Sequence, residues 1–271
     1  MVAGSNLHGE SFEEILETVF ESAETVLLVD PTGEAVDALT TVTSAASDPP
    51  TVRLLADAPL LKDVMDDFVV ASSAADHVAS GTLSIRTGRG ASNTLLVTDS
   101  AVWTLLGVGD RVAALGADDE QFVRAVRDTY ETRWENADDF DLRTPPLSRI
   151  RETLGEEIGQ DTRADFDATL EALRNAREAR GEFDEVTLTI LVAARNDVLL
   201  YDISKWGEDV GMASKATFSR TKTTLEDEGL IKTEKVPIDV GRPRLRLKLN
   251  EDRFDEVTPA ELAAVTLNRA P

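Results

Sequence analysis

Residues 214–249, with the sequence SKATFSRTKTTLEDEGLIKTEKVPIDVGRPRLRLKL, decide how the C-terminal part of this chain folds. Ser214 is a favourable N-cap, so the segment predicts a helix over 215–228. Gly229 follows this helix, as expected of a residue just beyond a helix C-terminus. Apolar and polar residues then alternate over 232–249 on both sides of a turn. The segment therefore predicts a helix followed by a β-hairpin.

Two further helices are predicted upstream of this segment. Apolar residues over 186–192 predict a first helix, and a second is predicted to begin with Asp202 as its N-cap. Gly211 then supplies a tight turn before the helix that begins after Ser214. Three helices followed by a hairpin are the pattern of a winged helix-turn-helix, which we place at 183–250.

The third predicted helix carries short hydroxyls and bases on its outward side, whereas Ala216, Phe218 and Leu225 are predicted to pack inward. Such side chains near the N-terminus of a recognition helix suit phosphate and base-edge contacts in the major groove. The predicted DNA-binding residues of this helix are Ser214, Lys215, Thr217, Ser219, Arg220, Lys222 and Thr223.

The second strand of the predicted hairpin alternates strictly between bases and leucines. Alternation places Arg244, Arg246 and Lys248 on one face and three leucines on the other, so that the bases face phosphate and the leucines face the core. Arg242 lies in the turn of the hairpin. These four cations complete the predicted contacts to double-stranded DNA. The alternative is an ordinary helical domain ending in a half-buried hairpin with a solvated basic face.

The net charge of −23, from 51 acidic and 28 basic residues, ordinarily disfavours binding to a polyanion. The lysines are nevertheless concentrated, because all except Lys62 lie between 205 and 248. An acidic excess with few lysines and few aromatics suggests a halophilic protein adapted to molar salt. The electrostatic screening length there is only about 3 Å, so charges farther apart than this hardly interact. Local charge, rather than net charge, then decides whether 183–250 binds DNA.

The composition also disfavours several other classes of protein. No apolar run approaches the roughly 18 residues that span a bilayer, and no signal sequence is evident, so we expect a cytoplasmic protein without a membrane partner. The chain has no cysteine and only two histidines, His8 and His77, far apart in sequence. We therefore expect no catalytic site, no metal site and no cofactor.

The N-terminal part predicts an α/β domain over 1–137, with a mixed sheet flanked by helices. Predicted helices cover 12–20, 35–46, 60–70 and 118–134, and predicted strands cover 26–29, 52–56, 82–86, 94–98, 102–107 and 111–114. A boundary is predicted within 138–146, which contains a Pro-Pro pair.

A helical connector is predicted over 145–180, between the α/β domain and the winged helix-turn-helix. Its apolar stripe packs either on the domain itself or on a second copy of the chain, which makes it a possible dimer contact. A helical tail is predicted over 251–271.

The segment 214–249 resembles archaeal winged-helix regulators, and the whole arrangement resembles the haloarchaeal TbsP family of transcriptional regulators. That family is linked functionally to the sugar-responsive TrmB regulators. The resemblance spans nearly the whole chain and implies a homodimeric transcription factor, a repressor of central carbon metabolism such as glucose and gluconeogenesis genes. TrmB-type proteins carry the winged helix at the N-terminus, so their effector residues cannot be transferred by position.

A glycine-rich basic loop at 86–93 is the strongest candidate for effector binding. Glycines let backbone N–H groups approach a phosphate, and arginines bind it in bidentate fashion, which predicts a sugar phosphate or similar anion. The alternative is a hairpin turn whose arginines pair with carboxylates. Strand-end residues at 30–33 and Asp99 are further candidates, and 30–33 also fits an ordinary β-turn. The candidate effector residues are Asp30, Thr32, Gly33, Arg86, Gly88, Arg89, Gly90, Ser92 and Asp99.

Two rival functions stay open at this point. One is an enzyme of sugar-phosphate or nucleotide metabolism, against which stand the missing P-loop and the missing Gly-x-Gly-x-x-Gly fingerprint. The other is a non-specific chromatin or adaptor protein that uses the winged helix for other contacts.

Overall fold

The computed structural model describes residues 6–88, 93–109, 111–177, 183–239, 241–250, 253–254 and 257–267. The chain forms two compact units, Met1–Leu142 and Arg143–Pro271. Within the described ranges, no helix combines the length and the apolar composition needed to cross a membrane.

An eight-stranded mixed sheet forms the centre of the N-terminal unit. Its strands are β1 Leu7–Gly9, β2 Thr25–Val29, β3 Thr51–Ala56, β4 Leu83–Thr87, β5 Leu95–Thr98, β6 Val102–Val108, β7 Arg111–Ala117 and β8 Asp138–Asp139. The strand order is β1-β7-β6-β5-β2-β3-β4-β8. Strands β2, β3 and β4 are parallel, and every other pairing is antiparallel.

Five helices cover the two faces of this sheet unequally. They are α1 Phe12–Phe20, α2 Gly33–Ala45, α3 Ala58–Met65, α4 Phe68–Ala79 and α5 Glu120–Glu135. The first four contribute side chains to the main core with one face of the sheet. Only α5 packs on the other face, where Val123, Tyr130 and Trp134 are buried. Phe122, next to Val123 on this helix, is 51% exposed.

The single helix predicted over 60–70 is wrong, because the chain forms α3 and α4 there. The Asp67 carboxylate accepts hydrogen bonds from the backbone N–H groups of Val69 at 2.9 Å and Val70 at 3.0 Å. Asp67 is therefore the N-cap of α4 and interrupts the apolar spacing that continues from Leu61 to Phe68. An aspartate that bonds its own downstream backbone favours a helix start over helix continuation.

The C-terminal unit is mainly helical. Its elements are α6 Leu147–Thr153, a π-helix Leu154–Ile158, α7 Gln160–Arg177, α8 Glu185–Arg195, α9 Leu200–Val210, α10 Lys215–Asp227, β9 Ile231–Val236, β10 Arg244–Leu249 and α11 Pro259–Leu267. Helix α8 is buried on all sides from Val186 to Ala194, as expected of a helix that is apolar all round. Helices α7, α10 and α11 and strand β10 surround it.

The apolar stripe of the predicted connector packs within this unit. Leu147, Ile150 and Leu154 are buried, as are Phe166 and Leu173 in α7. The sequence left two packing partners open for this stripe, its own domain or a second copy of the chain. In the structure the stripe packs on its own domain.

Candidate nucleic-acid interface

Helices α9 and α10 form a helix-turn-helix around a left-handed glycine. Gly211 caps α9 with φ +90, where glycine avoids the steric cost that a side chain would incur. The Met212 backbone N–H donates to the Gly207 carbonyl at 2.9 Å. Ser214 then caps α10, accepting from the Thr217 N–H at 3.2 Å. The predicted turn and the predicted cap of the third helix are thus present.

The prediction that Asp202 is the N-cap of the second helix is wrong. Helix α9 begins at Leu200 with Leu199 as its N-cap, so Asp202 lies in the first turn. Its carboxylate instead accepts a hydrogen bond from the guanidinium of Arg244 on β10 at 3.2 Å. A contact between a helix and a strand 42 residues later leaves no local signal in the sequence.

The two helices of the motif approach each other closely at Gly207. A Cβ atom added there would lie 2.3 Å from the ring of Phe218, which is fully buried in α10. Trp206, also buried, donates from its indole Nε1 to the Thr153 hydroxyl at 2.9 Å. Helix α9 is therefore held on one side by α10 and on the other by α6.

The outward face of α10 differs from the predicted one at two positions. Ala216, predicted to pack inward, is exposed. The Lys222 side chain, predicted to face DNA, is only 12% exposed and pairs with Glu226. The physical reason is helical spacing, because Lys222 lies four residues after Phe218 and three before Leu225, on the same buried stripe.

Glu226 holds Lys222 in this inward position. Burial alone would raise the pKa of the Glu226 carboxyl, but hydrogen bonds from Lys222 and from the Thr233 hydroxyl outweigh it and lower that pKa. The pair therefore belongs to the contact between α10 and β9 rather than to a DNA-facing surface.

The exposed side of α10 carries Lys215, Ser219, Arg220 and Thr223. Lys215 forms a 2.6 Å ion pair with Glu208 on α9. The hydrogen bond between them raises the pKa of the lysine and lowers that of the glutamate. Among the described residues, the Arg220 side chain forms one hydrogen bond, to the Thr217 hydroxyl at 3.4 Å, and no ion pair.

Strands β9 and β10 form the predicted antiparallel hairpin. Strand β10 also bridges to Leu199 at its outer edge, and the Leu247 N–H donates to the Val198 carbonyl at 2.9 Å. Leu247, the central leucine of β10, is fully buried. The hairpin is therefore joined to the helical core as a wing.

The predicted cationic face of β10 is only partly available to a ligand. Arg244 pairs with Asp202 and lies 4.2 Å from the ring centroid of Tyr201, and Lys248 lies 3.4 Å from Glu234. The Nε atom of Arg246 is buried without a hydrogen-bond partner. The prediction that all three cations are free to meet phosphate is therefore not met in this structure, because carboxylates engage Arg244 and Lys248 and the Nε atom of Arg246 is buried.

Three exposed cations have no acidic partner within the described part of 183–250, namely Arg220, Lys235 and Arg242. Arg220 lies on α10, and the other two lie near the tip of the wing. Sequence reasoning missed Lys235. The register of the hairpin could have identified it, because Lys235 lies opposite Leu245 and next to the turn that carries Arg242.

In the N-terminal unit, the candidates at 30–33 lie at the carboxyl edge of the parallel strands. Asp30 has a left-handed backbone with φ +43, and burial, followed by the charge of Asp57, raises the pKa of its carboxyl. The Thr32 hydroxyl caps α2 by accepting from the Ala35 N–H at 3.2 Å, and Gly33 begins that helix. Gly88 follows β4 at this same edge.

Arg86 is already engaged by neighbouring groups. Its Nε donates to Asp139 at 2.9 Å, its Nη1 donates to the Trp134 carbonyl at 2.7 Å, and its guanidinium lies 5.0 Å from the Trp134 ring centroid. An anion would have to displace these contacts. Arg89, Gly90 and Ser92 lie outside the described residues.

The structure does not bring Asp99 together with Asp30. Because β5 runs antiparallel to β2, Asp99 lies beside Thr25, whose hydroxyl donates to it at 2.9 Å. Thr25 begins the five-residue strand β2, and Asp30 follows its other end, about 16 Å away. Asp99 instead lines an open cavity of about 570 Å³ in which acidic side chains outnumber Arg124 and Arg127.

A helix-turn-helix joined to a hairpin wing, with unpaired cations on its third helix and on its wing, defines a winged helix-turn-helix DNA-binding protein. The chain belongs to the family of TbsP-like transcriptional regulators. Residues 4–145 match the TbsP-like N-terminal domain, and residues 146–267 match the TbsP-like C-terminal HTH domain. The resemblance to the TbsP family and the fold class predicted from the sequence are confirmed, and the family is one of transcriptional regulators with a DNA-binding HTH domain.

Similarities to solved structures are weak. TrmBL2, described as an archaeal chromatin protein with a novel mode of DNA binding, is 16% identical with a TM-score of 0.37, and the match covers 50% of this chain and 54% of TrmBL2. Nuc from Salmonella typhimurium, a phospholipase D family member, is 12% identical with a TM-score of 0.36, covering 50% of this chain and 97% of Nuc. NucT from Helicobacter pylori is 13% identical with a TM-score of 0.37, covering 50% and 99%. No curated protein matches the chain.

Proposed function

We propose that this chain binds specific promoter sites on double-stranded DNA as a homodimer, with α10 in the major groove and the wing against the neighbouring phosphates. The observation that carries this proposal is the position of the three unpaired cations. Arg220, Lys235 and Arg242 lie on the two elements that contact DNA in winged helix-turn-helix proteins, while most other bases of 183–250 have acidic partners.

The proposed DNA contacts are of two kinds, contacts to base edges and contacts to phosphates. Arg220 has the fork of donors that pairs with the O6 and N7 acceptors of guanine, and Ser219 and Thr223 flank it on the exposed face of α10. Ser214 and Lys215, at the start of α10, are placed for phosphate, with Lys215 exchanging Glu208 for the DNA backbone. Arg242 and Lys235 add phosphate contacts from the wing.

The acidic composition is compatible with this binding mode. At molar salt the screening length is about 3 Å, so a phosphate senses the cation it touches rather than the distant carboxylates. Pairing of Lys215 and Lys248 with glutamates also reduces indiscriminate attraction to DNA at sites that offer no matching base edges.

Footprinting of the purified chain on genomic promoter fragments in molar KCl tests this function. We expect protection confined to discrete sites with two half-sites about one helical turn apart, as two recognition helices of a dimer require. Uniform protection along every fragment would instead favour the non-specific chromatin protein, and absence of any protection would contradict DNA binding.

We propose further that the chain represses genes of central carbon metabolism in response to a sugar phosphate or similar metabolite. The regulated genes and the sign of regulation are supported by the family resemblance. A site for the metabolite is supported at the carboxyl edge of β2, β3 and β4, because ligands of open α/β sheets bind at this edge. Asp30 and Asp57 there suit the hydroxyls of a sugar, and the N-terminus of α2 at Thr32 and Gly33 suits an anionic group.

The Asp30→Asn variant tests this site. We expect a hexose phosphate to change the affinity of the wild type for its promoter and to have no effect on this variant, whose affinity without the metabolite stays at the wild-type value. Asparagine tolerates the left-handed backbone at this position, so the fold should be retained. Asp99→Asn, at the opposite end of β2, is the matched control and should respond like the wild type. An Asp30→Asn protein that responds normally would exclude this edge as the site.

A further inference from the structure

One face of the N-terminal sheet is only half covered. Helix α5 packs over β2, β3 and β5 through Leu27, Val29, Leu55, Leu95 and Val97. On β6, the helix packs against Val102, at the beginning of the strand. The remainder of β6, together with β7, extends beyond the helix.

Alternation along the strands identifies the side chains on this uncovered face. Trp103 and Leu105 belong to the main core, so Leu106 and Val108 point the opposite way, and Leu115 follows by the same argument from Ala114. Leu106 is 45% exposed, Val108 78% and Leu115 43%. We call Leu106, Val108, Ala113 and Leu115 the β6–β7 patch, in which Leu106 is paired with Ala113 across the two strands.

The β6–β7 patch is apolar in a chain whose net charge is −23. Neither β6 nor β7 contains an aspartate or glutamate, although the whole sequence has 51. The largest exposed apolar patch of a protein is often a functional interaction site. A negatively charged partner that binds here would therefore not be repelled by carboxylates of β6 or β7.

The two ends of β7 carry opposite charges. Arg111 begins the strand and Asp118 follows its last residue, and both are exposed without an ionic partner in the described ranges. The strand is seven residues long, which separates the two charges by about 23 Å. Two copies related by a two-fold axis across the strands would place Arg111 of each copy against Asp118 of the other.

From this charge pattern we propose that the β6–β7 patch is the surface on which a second copy of this chain binds, in an isologous two-fold dimer. The inference rests on the homodimer of the proposed function and names its interface. The apolar stripe of α6 and α7 offers no competing surface, because it is buried within its own unit. With β1 at the edge, the sheet face measures about 23 Å by 15 Å, which is less than the roughly 800 Å² that each partner of a standard interface buries. Phe122, 51% exposed near the start of α5, adds exposed apolar surface on the side of the sheet on which α5 packs.

Sedimentation equilibrium of the full chain, at low and at molar KCl, tests the proposal. We expect the wild type to be a dimer and the Leu106→Glu, Val108→Glu variant to be a monomer, with a dissociation constant raised at least about 100-fold, since association would bury unpaired carboxylates. Arg111→Glu should weaken the dimer about tenfold at low salt and less in molar KCl, and Arg111→Glu combined with Asp118→Arg should restore it.

Val78→Glu is the matched control, because Val78 is 43% exposed on α4, on the other side of the sheet. It should stay dimeric. All of these positions are exposed, so unchanged thermal unfolding of the monomeric variant should show that its fold is intact. A variant that is still dimeric would overturn this interface while leaving the homodimer in place. A monomeric wild type would overturn both, and footprinting would still test DNA binding separately.

Discussion

Replacing Arg220 by alanine is expected to weaken binding to a specific promoter site by about 1–3 kcal/mol, which is about 5- to 150-fold. Arg220 is exposed on α10, and within the part of the chain that the structure describes the one hydrogen bond of its side chain is to the Thr217 hydroxyl. No internal ion pair has to be broken when it approaches a base edge. Its loss should therefore remove discrimination between the specific site and its base-pair variants.

Fluorescence anisotropy with a labelled promoter duplex and single-base variants of it measures this effect. Lys222→Met is the matched control, because it removes a cation two residues away whose side chain is only 12% exposed and already paired with Glu226. We expect this variant to bind within about twofold of the wild type. Equal losses for the two variants would show that the outward face of α10 is assigned incorrectly.

The wing variants Arg242→Ala and Lys235→Ala belong to the same set of measurements. A phosphate contact carries no sequence information, so each should weaken binding to all duplexes alike. Each should also reduce the steepness of the salt dependence by about 0.9 in log K against log salt. A change in base preference on removal of either wing cation would contradict this division of roles.

Replacing Gly207 by alanine is expected to destabilise the C-terminal unit by about 1–3 kcal/mol. The added Cβ would lie 2.3 Å from the Phe218 ring, and Phe218 is fully buried in α10. Alanine in place of glycine inside an ordinary helix stabilises by about 1 kcal/mol, so the sign of the effect separates close packing from helix propensity. Thermal or urea unfolding monitored by circular dichroism measures it.

A double-mutant cycle provides the control for this prediction. In a Phe218→Ala background the clash disappears, so Gly207→Ala should become neutral or stabilising even though Phe218→Ala itself costs about 3–5 kcal/mol. Additive effects of the two substitutions would contradict the close approach of α9 and α10 at Gly207.

Most elements of the chain could be predicted from local sequence because their signals are local. Ser214 and Gly229 mark the two ends of α10, and short apolar runs mark the strands of the N-terminal sheet. Errors occurred where a local signal competed with periodicity. Asp67 ends an apolar pattern that continues through it, and Lys222 has the charge of an outward residue but the spacing of a buried one.

The sequence by itself determined most of the secondary structure, the winged helix-turn-helix and the concentration of bases in it, since most helix caps, turns and alternation depend on neighbouring residues. Only the tertiary structure decided which of those bases are available. Asp202 and Glu208 neutralise Arg244 and Lys215 from another element, and sheet pairing separates Asp30 from Asp99. Charge pairing acts over a few ångströms in space, whatever the distance along the chain. Composition alone therefore cannot tell a cation that binds DNA from one that holds the fold together.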